Sequence, residues 1–176
     1  SGTVELLGRS PDGSGALRGL VGWVPEKPSF HPEMTVDEAL SWRKRFFPRW
    51  NASRAASLCA ALSLDRSTKI ATASKGTLGK LAWVCAAAHE PELFLLDEPT
   101  SALDALVREK LLDQLVSELH GEGKTILVAS HRLEELAGLL DEVWVLSEGR
   151  IVAARPMESL RTESRRIRAR LTEIGE

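Results

Sequence analysis

Two adjacent carboxylates, Asp97 and Glu98, are the residues whose types and spacing most directly indicate chemistry in this chain. They follow the apolar run 93–96 and precede Pro99. A short run that is apolar throughout is typical of a parallel strand buried on both faces, and open α/β sheets bind ligands at the carboxyl ends of their strands. One carboxylate there could hold a hydrated Mg²⁺ while its neighbour orients or activates a water. The alternative is an ordinary core strand that ends in a charged turn.

The longer stretch 93–104 reads L-F-L-L-D-E-P-T-S-A-L-D, and it resembles the ATP-binding cassette (ABC) ATPases. In this resemblance Asp97 is the Walker B aspartate, which would hold Mg²⁺ through water. Glu98 is the glutamate after it, which would polarise the attacking water. Asp104 ends the D-loop and would link the two nucleotide sites of a cassette dimer.

His131 follows a predicted strand at 124–129 and so belongs to the same edge of the predicted sheet. From there its side chain could donate a hydrogen bond to a terminal phosphate, although a histidine that begins a helix is often only a neighbour of the cap. Its distance from Asp97 and Glu98, with strand, helix and strand between, is similar to that of the family's switch histidine. The resemblance implies that His131 would steady the γ-phosphate.

Two further segments resemble family motifs with substitutions. Ser74 and Gly76 stand where the family has its LSGGQ signature, which requires a hydroxyl, a close backbone and a helix N-terminus directed at an anion. Lys75 replaces a glycine there, which we interpret as divergence rather than loss. Glu26 stands at the Q-loop glutamine; it could still bind Mg²⁺, or it could be a surface acid. Residues 46–50 are similar to the exporter branch of the family.

The phosphate-binding motif G-x-x-x-x-G-K-[ST] is absent from the 176 residues. Gly123-Lys124-Thr125 is a false match, because Glu118 stands where the first glycine should be and a strand follows. The resemblance implies that the family's N-terminal part, with Walker A and the adenine-stacking aromatic residue, is missing. We therefore expect this chain alone to be inactive, and one side of its sheet to be bare.

Composition restricts the class of protein. A length of 176 residues suits one domain, and 43% hydrophobic residues suffice for a core. The net charge of −2 provides no basic field that would attract nucleic acid or membrane. Cys59 and Cys85 lie in apolar helical patterns, which favours buried thiols over a metal site or disulfide. No apolar run approaches the ~18–20 residues that span a bilayer.

Local patterns predict the elements that position these residues. Thr35 with Glu38 forms a capping box for a helix ending before Pro48, while Asn51 and Ser74 cap helices that run to residues 62 and 88. Further helices are predicted at 105–120, 133–140 and 157–173, the last with an arginine-rich face that suits solvent, or an acidic partner or headgroups. Strands are predicted at 3–8, 20–24, 93–97, 124–129, 143–146 and 151–154.

The predicted fold is therefore α/β, a P-loop NTPase-like, mostly parallel sheet that is N-terminally truncated and carries an inserted α-helical subdomain. Its predicted parts are a β-rich segment at 1–34, the helical subdomain at 35–88, a RecA-like core at 89–156 and a C-terminal helix at 157–176.

The resemblance implies an ATPase subunit of an ABC transporter, an exporter by its branch, with ATP and Mg²⁺ as cofactors. Its partners would be a second cassette and a transmembrane permease, with no nucleic acid. The permease would hold it at the cytoplasmic face of the cell membrane. Two alternatives remain: a regulatory or assembly subunit that does not hydrolyse ATP, and a soluble ABC ATPase of translation or DNA repair.

Overall fold

The fold is taken from a computed structural model, which describes residues 2–11, 15–101, 103–119 and 123–163. The chain divides into two compact units, residues 1–131 and 132–176. This division neither supports nor contradicts the predicted subdomain boundaries at 34, 88 and 156, which stay predictions. Among the described residues, no helix is both long enough and apolar enough to cross a membrane.

A three-stranded parallel sheet forms the centre of the first unit. Its strands are β1 (Val21–Val24), β2 (Leu93–Asp97) and β3 (Thr125–Ala129), in the order β1-β2-β3. The predicted central position of the strand that ends at Asp97 is confirmed. The register places Asp97 beside Ala129, so the ends of β2 and β3 meet at one edge of the sheet.

The predicted strand at 3–8 is wrong. This segment contains only an isolated bridge between Leu6 and Arg9, whose amides and carbonyls exchange hydrogen bonds of 2.8 and 3.0 Å. Leu7 and Gly8, which lie between Leu6 and Arg9, have φ values of 53° and 71°. The chain therefore reverses tightly here. A 3-10 helix, Ala16–Leu20, then leads into β1.

Three helices occupy the stretch between β1 and β2, and their predicted caps are confirmed. They are α1 (Val36–Lys44), α2 (Ala52–Ala61) and α3 (Lys75–Ala87). The Glu38 amide donates to Thr35 Oγ1 at 3.2 Å while the Thr35 amide donates to Glu38 Oε2 at 2.7 Å. The Asn51 side chain accepts from the Arg54 amide at 2.9 Å. Each cap satisfies a backbone donor that the first helical turn leaves without a partner.

Helix α3 packs directly on one face of the sheet. The ring of Trp83 stacks on that of Phe94 in β2, with centroids 5.3 Å apart. Gly22 in β1 lies so close to α3 that a Cβ atom there would be 2.7 Å from the Ala86 carbonyl oxygen. On the opposite face Trp23, Leu95 and Leu127 share one register row, and Trp23 and Leu127 are exposed. The prediction that one side of the sheet lies bare is therefore confirmed.

A buried carboxylate joins the elements around the sheet. Glu118 on helix α4 (Ala105–Leu119) is 2% exposed and pairs with Arg54 of α2 and Lys124 before β3. Arg54 also donates from Nε to the Ala87 carbonyl at the end of α3, at 3.0 Å. Cys59 and Cys85 are buried thiols, as predicted. Burial raises the pKa of Cys85 to about 12.

The second unit contains a hairpin between two helices. Helix α5 (Leu133–Leu136) is shorter than predicted and has no side-chain cap. Strands β4 (Glu142–Ser147) and β5 (Arg150–Pro156) pair antiparallel around Glu148 and Gly149, both at positive φ. Helix α6 (Met157–Glu163) begins where predicted. Residue 120 and the rest of the predicted tail helix, 164–173, lie outside the described residues.

Candidate functional site

Glu98 and His131 are the predicted site residues that the structure brings into contact. Glu98 Oε1 accepts hydrogen bonds from the His131 backbone amide at 2.9 Å and lies 2.7 Å from His131 Nδ1. The Ser130 hydroxyl donates to the other oxygen, Oε2, at 3.3 Å. Both carboxylate oxygens are thus held by the two residues that directly follow β3.

The backbone brings Glu98 to this position through a conformation that is uncommon for glutamate. Its φ is 47°, in the left-handed region. Its amide nevertheless continues the sheet by donating to the Ala129 carbonyl at 2.9 Å. Glu98 is therefore the residue at which the extended strand β2 ends. A strained backbone conformation of this kind persists only where surrounding contacts hold it, and it is frequent at functional sites.

The electrostatics of the pair keep the carboxylate ionised. Burial favours the protonated form of Glu98, but hydrogen bonds from the His131 side chain and amide, the charge of His131 and the Ser130 hydroxyl outweigh it. The pKa of Glu98 is therefore lowered. A glutamate that is ionised at neutral pH and held by fixed donors can orient a water and accept a proton from it.

A cleft of about 370 Å³ brings a second predicted residue to the same place. Glu26, just after β1, and Glu98 both line it, together with Lys75 from the first turn of α3. The cleft therefore lies between the ends of β1 and β2 and the start of α3, the helix that carries the signature-like residues. Lys27 and Ser101 also line it; Ser101 belongs to the predicted D-loop, whereas sequence reasoning gave Lys27 no role.

Oxygen ligands suited to Mg²⁺ are present at this edge of the sheet. Asp97 is exposed at the end of β2, and Glu26 is exposed beside the cleft. Within the described part of the chain, no group of three or more His, Cys, Asp or Glu residues forms a metal cluster. Mg²⁺ usually keeps several waters and takes only one or two protein carboxylates besides phosphate oxygens. The residues present therefore fit that ion.

Ser74 and Asp104 are placed as helix caps. Ser74 Oγ accepts from the Thr77 amide at 3.1 Å and lies 2.9 Å from Thr77 Oγ1, while Gly76 is in the first turn of α3. Asp104 Oδ1 accepts from the Val107 amide at 2.9 Å and so caps α4. The structure leaves the roles of both in contacting another cassette as predictions.

Besides Lys27, sequence reasoning missed the contact of Ser130 with Glu98 and the cap function of Asp104. Ser130 was not assigned a role, although a hydroxyl that directly follows a core strand at the edge with the carboxylates was a usable signal. The cap function of Asp104 was also available, because an aspartate just before a helical pattern is a typical N-cap.

Comparison with known proteins identifies what this arrangement is similar to. Residues 1–101 match the protein family described as "ABC transporter". The Nod factor export ATP-binding protein I of Burkholderia orbicola is 34% identical over 160 residues, which are 87% of this chain and 52% of that relative. The chain spans about half the length of the curated relatives it matches.

Solved structures agree with the family match. The structure of an ATP-binding subunit of an ABC transporter superposes with a TM-score of 0.83 at 28% identity, covering 93% of this chain and 70% of the other. A dimeric ATP-binding cassette in a post-hydrolysis state, bound to ADP and Pi, has a TM-score of 0.67 at 24% identity over 78% of this chain and 62% of that one. These likenesses confirm the predicted α/β fold of the P-loop NTPase type.

Proposed function

The chain belongs to the ABC transporter family, and from this premise we propose that it is the ATP-hydrolysing part of an ABC exporter. The observation that carries the proposal is the contact between Glu98 and His131, at the end of the two strands where the family performs its chemistry. The similarity to a Nod factor export protein supports export as the direction of transport. Bound Mg-ATP would supply an electrophilic terminal phosphate that water attacks.

Four residues of the chain have separate proposed roles in that attack. Glu98 would orient the water and accept its proton, and its lowered pKa keeps it ready to do so. His131 would hold the Glu98 carboxylate and present its remaining donor toward the phosphate. Asp97 and Glu26 would hold the metal through their carboxylate oxygens.

The partners we propose are a second cassette and a permease. Ser74 and Gly76 at the start of α3 would contact the nucleotide of the opposite cassette, because a helix N-terminus favours anions. Asp104 would link the two sites from its place at the start of α4. A permease would hold the pair at the cytoplasmic face of the membrane. The dimeric cassette with a similar fold supports a second cassette as a partner.

The test requires a phosphate-binding loop, which the 176 residues do not contain. We would fuse the N-terminal part of the Nod factor export relative to this chain, confirm ATP binding with a fluorescent analogue, and then measure hydrolysis. Glu98→Gln keeps the size and hydrogen bonding of the side chain but cannot accept the proton. It should reduce turnover by about 10²–10⁴-fold while ATP binding is retained.

Glu109→Gln is the matched control, because Glu109 is an exposed carboxylate on α4 outside the cleft. It should hydrolyse ATP like the parent fusion. Near-parental turnover in the Glu98→Gln variant would contradict the assignment of Glu98 as the general base. Loss of ATP binding in that variant would show a role in holding nucleotide instead.

A further inference from the structure

The two oxygens of the Glu98 carboxylate are held in different ways. Oε1 accepts from the His131 amide at 2.9 Å and lies 2.7 Å from His131 Nδ1, whereas Oε2 accepts from the Ser130 hydroxyl at 3.3 Å. An ionised carboxylate only accepts hydrogen bonds, so Nδ1 carries a proton in this contact. Each carboxylate oxygen has about two lone-pair sites. Among the described residues, two donors therefore fill Oε1, while one site on Oε2 stays open.

The backbone fixes the place from which Ser130 acts. Ser130 directly follows Ala129, which pairs with Asp97 in the parallel sheet and whose carbonyl accepts from the Glu98 amide at 2.9 Å. The register that sets Glu98 beside the end of β3 thus also brings the Ser130 hydroxyl within reach of the Glu98 carboxylate. The contact depends on strand pairing alone, so it is formed by the chain itself before any substrate binds.

Glu98 is the link between Ser130 and the cleft. The Glu98 side chain is 19% exposed and lines the cleft of about 370 Å³. Ser130 is half-buried and is not among the described residues that line this cleft. An effect of Ser130 on a water in the cleft therefore passes through the Glu98 carboxylate.

We propose that Ser130 is a positioning residue for ATP hydrolysis, which holds the Glu98 carboxylate so that Oε2, rather than Oε1, takes the proton of the attacking water. This role rests on the proposed function, in which Glu98 is the general base. The water oxygen bonds to the terminal phosphorus, the water proton passes to Oε2, and the bond from that phosphorus to the ADP oxygen breaks. ADP leaves with the electron pair of that bond.

His131 alone does not fix the orientation of the base. Both of its hydrogen bonds end on Oε1, so a carboxylate held only there can pivot about that oxygen and swing Oε2 away from the water. The hydrogen bond from Ser130 is the second point of attachment and sets the plane of the group. Small displacements of a catalytic group cost large factors in rate, so the second attachment matters for turnover.

A merely structural role for Ser130 predicts a different result. A hydroxyl that only ends β3 would change the stability of the sheet, and its loss would act whether or not residue 98 is a base. A positioning residue instead acts on the step in which the base takes the proton. Its loss therefore lowers kcat and leaves KM for ATP unchanged.

The experiment compares Ser130 variants in the fusion of this chain with the N-terminal part of the Nod factor export relative. Ser130→Ala should lower kcat about 10-fold at unchanged KM, the factor expected for one hydrogen bond to a charged group. This loss is smaller than the about 10²–10⁴-fold expected for Glu98→Gln, because the base itself remains. Ser130→Thr keeps a hydroxyl on the same carbon and should restore kcat to near the parental value.

The coupling between Ser130 and Glu98 is the sharpest readout. In the Glu98→Gln background the proton acceptor is gone, so adding Ser130→Ala should cause no further loss of kcat, whereas independent roles would make the two losses multiply. Ser117→Ala is the matched control, because Ser117 is an exposed serine on α4 outside the cleft. It should behave like the parent in both backgrounds. Circular dichroism and thermal melting of every variant separate loss of turnover from loss of structure.

Three results would overturn the role of Ser130 while Glu98 remains the general base. They are parental kcat in Ser130→Ala, a loss that Ser130→Thr does not restore or that multiplies with the loss in Glu98→Gln, and a raised KM at unchanged kcat. The last would assign Ser130 to nucleotide binding. Parental turnover in Glu98→Gln is the separate outcome that would overturn the proposed function, and the role of Ser130 with it.

Discussion

Replacing both cations around Glu118 should destabilise the fold by about 3–5 kcal/mol, because the double variant Arg54→Met, Lys124→Met leaves a buried carboxylate without a counter-ion. Glu118 is only 2% exposed and pairs with both residues. Either single variant should cost clearly less than half of the double variant, since one cation remains. Adding Glu118→Leu should return stability to within about 1 kcal/mol of the parent, because an apolar replacement of a buried ionic cluster is often neutral.

Urea unfolding monitored by tryptophan fluorescence and circular dichroism measures these differences, provided the two probes give coincident transitions. The control is the pair between Arg66 and Asp37, whose side chains are 52% and 49% exposed. Arg66→Met should cost no more than about 1 kcal/mol. A loss below about 1 kcal/mol in the double variant, or no recovery with Glu118→Leu, would refute the reasoning that an unpaired buried charge sets the cost.

Three further predictions concern packing, pH and association. Gly22→Ala should lower the free energy of unfolding, measured with urea, by about 1–3 kcal/mol, because its Cβ would be 2.7 Å from a backbone oxygen. Gly19→Ala is the control and should change this free energy little, because a Cβ at Gly19 would have nothing within 4 Å. Burial lowers the pKa of His89 from 6.5, so the unfolded chain binds a proton at His89 more readily than the folded chain does. The contribution of neutral His89 to the stability of the fold should therefore be fully present above pH 6.5 and should be lost as the pH falls below it. His89→Gln should weaken this pH dependence and His31→Gln should not, as measured by melting temperature across pH. Because an exposed apolar face commonly seeks a partner, the chain should self-associate in sedimentation over a concentration series. Trp23→Ser with Leu127→Ser should reduce that association, and a clean parental monomer at high concentration would contradict it.

Local signals explain what could be predicted of the fold. The caps at Thr35, Asn51 and Ser74 depend on residues within one helical turn, so the sequence pattern contains all the information they need. The apolar run that ends at Asp97 likewise predicted the central strand of the sheet. These elements formed where their own residues favoured them.

Contacts distant in sequence explain what could not be predicted. Residues 3–8 alternate like a strand, but Leu6 pairs with Arg9 in a tight turn rather than with another strand. The left-handed backbone of Glu98 and its hold by Ser130 depend on the register between β2 and β3, which no local pattern shows. The stacking of His89 on Phe47 similarly joins two elements that only the folded chain brings together.

The pairing of Val21 with Leu93 has a consequence for how the chain folds. The sheet needs β1 beside β2, yet helices α1, α2 and α3 all lie between these strands in the sequence. Pairing β1 with β2 therefore closes a long loop, whose entropy is lost before the strand contacts repay it. If the three helices collapse first, they shorten the effective loop and carry Gly22 toward Ala86. The folding rate should then depend more on the contact between α3 and β1 than on the pairing of the strands. That contact would therefore influence how fast the edge of the sheet that carries Glu98 is assembled.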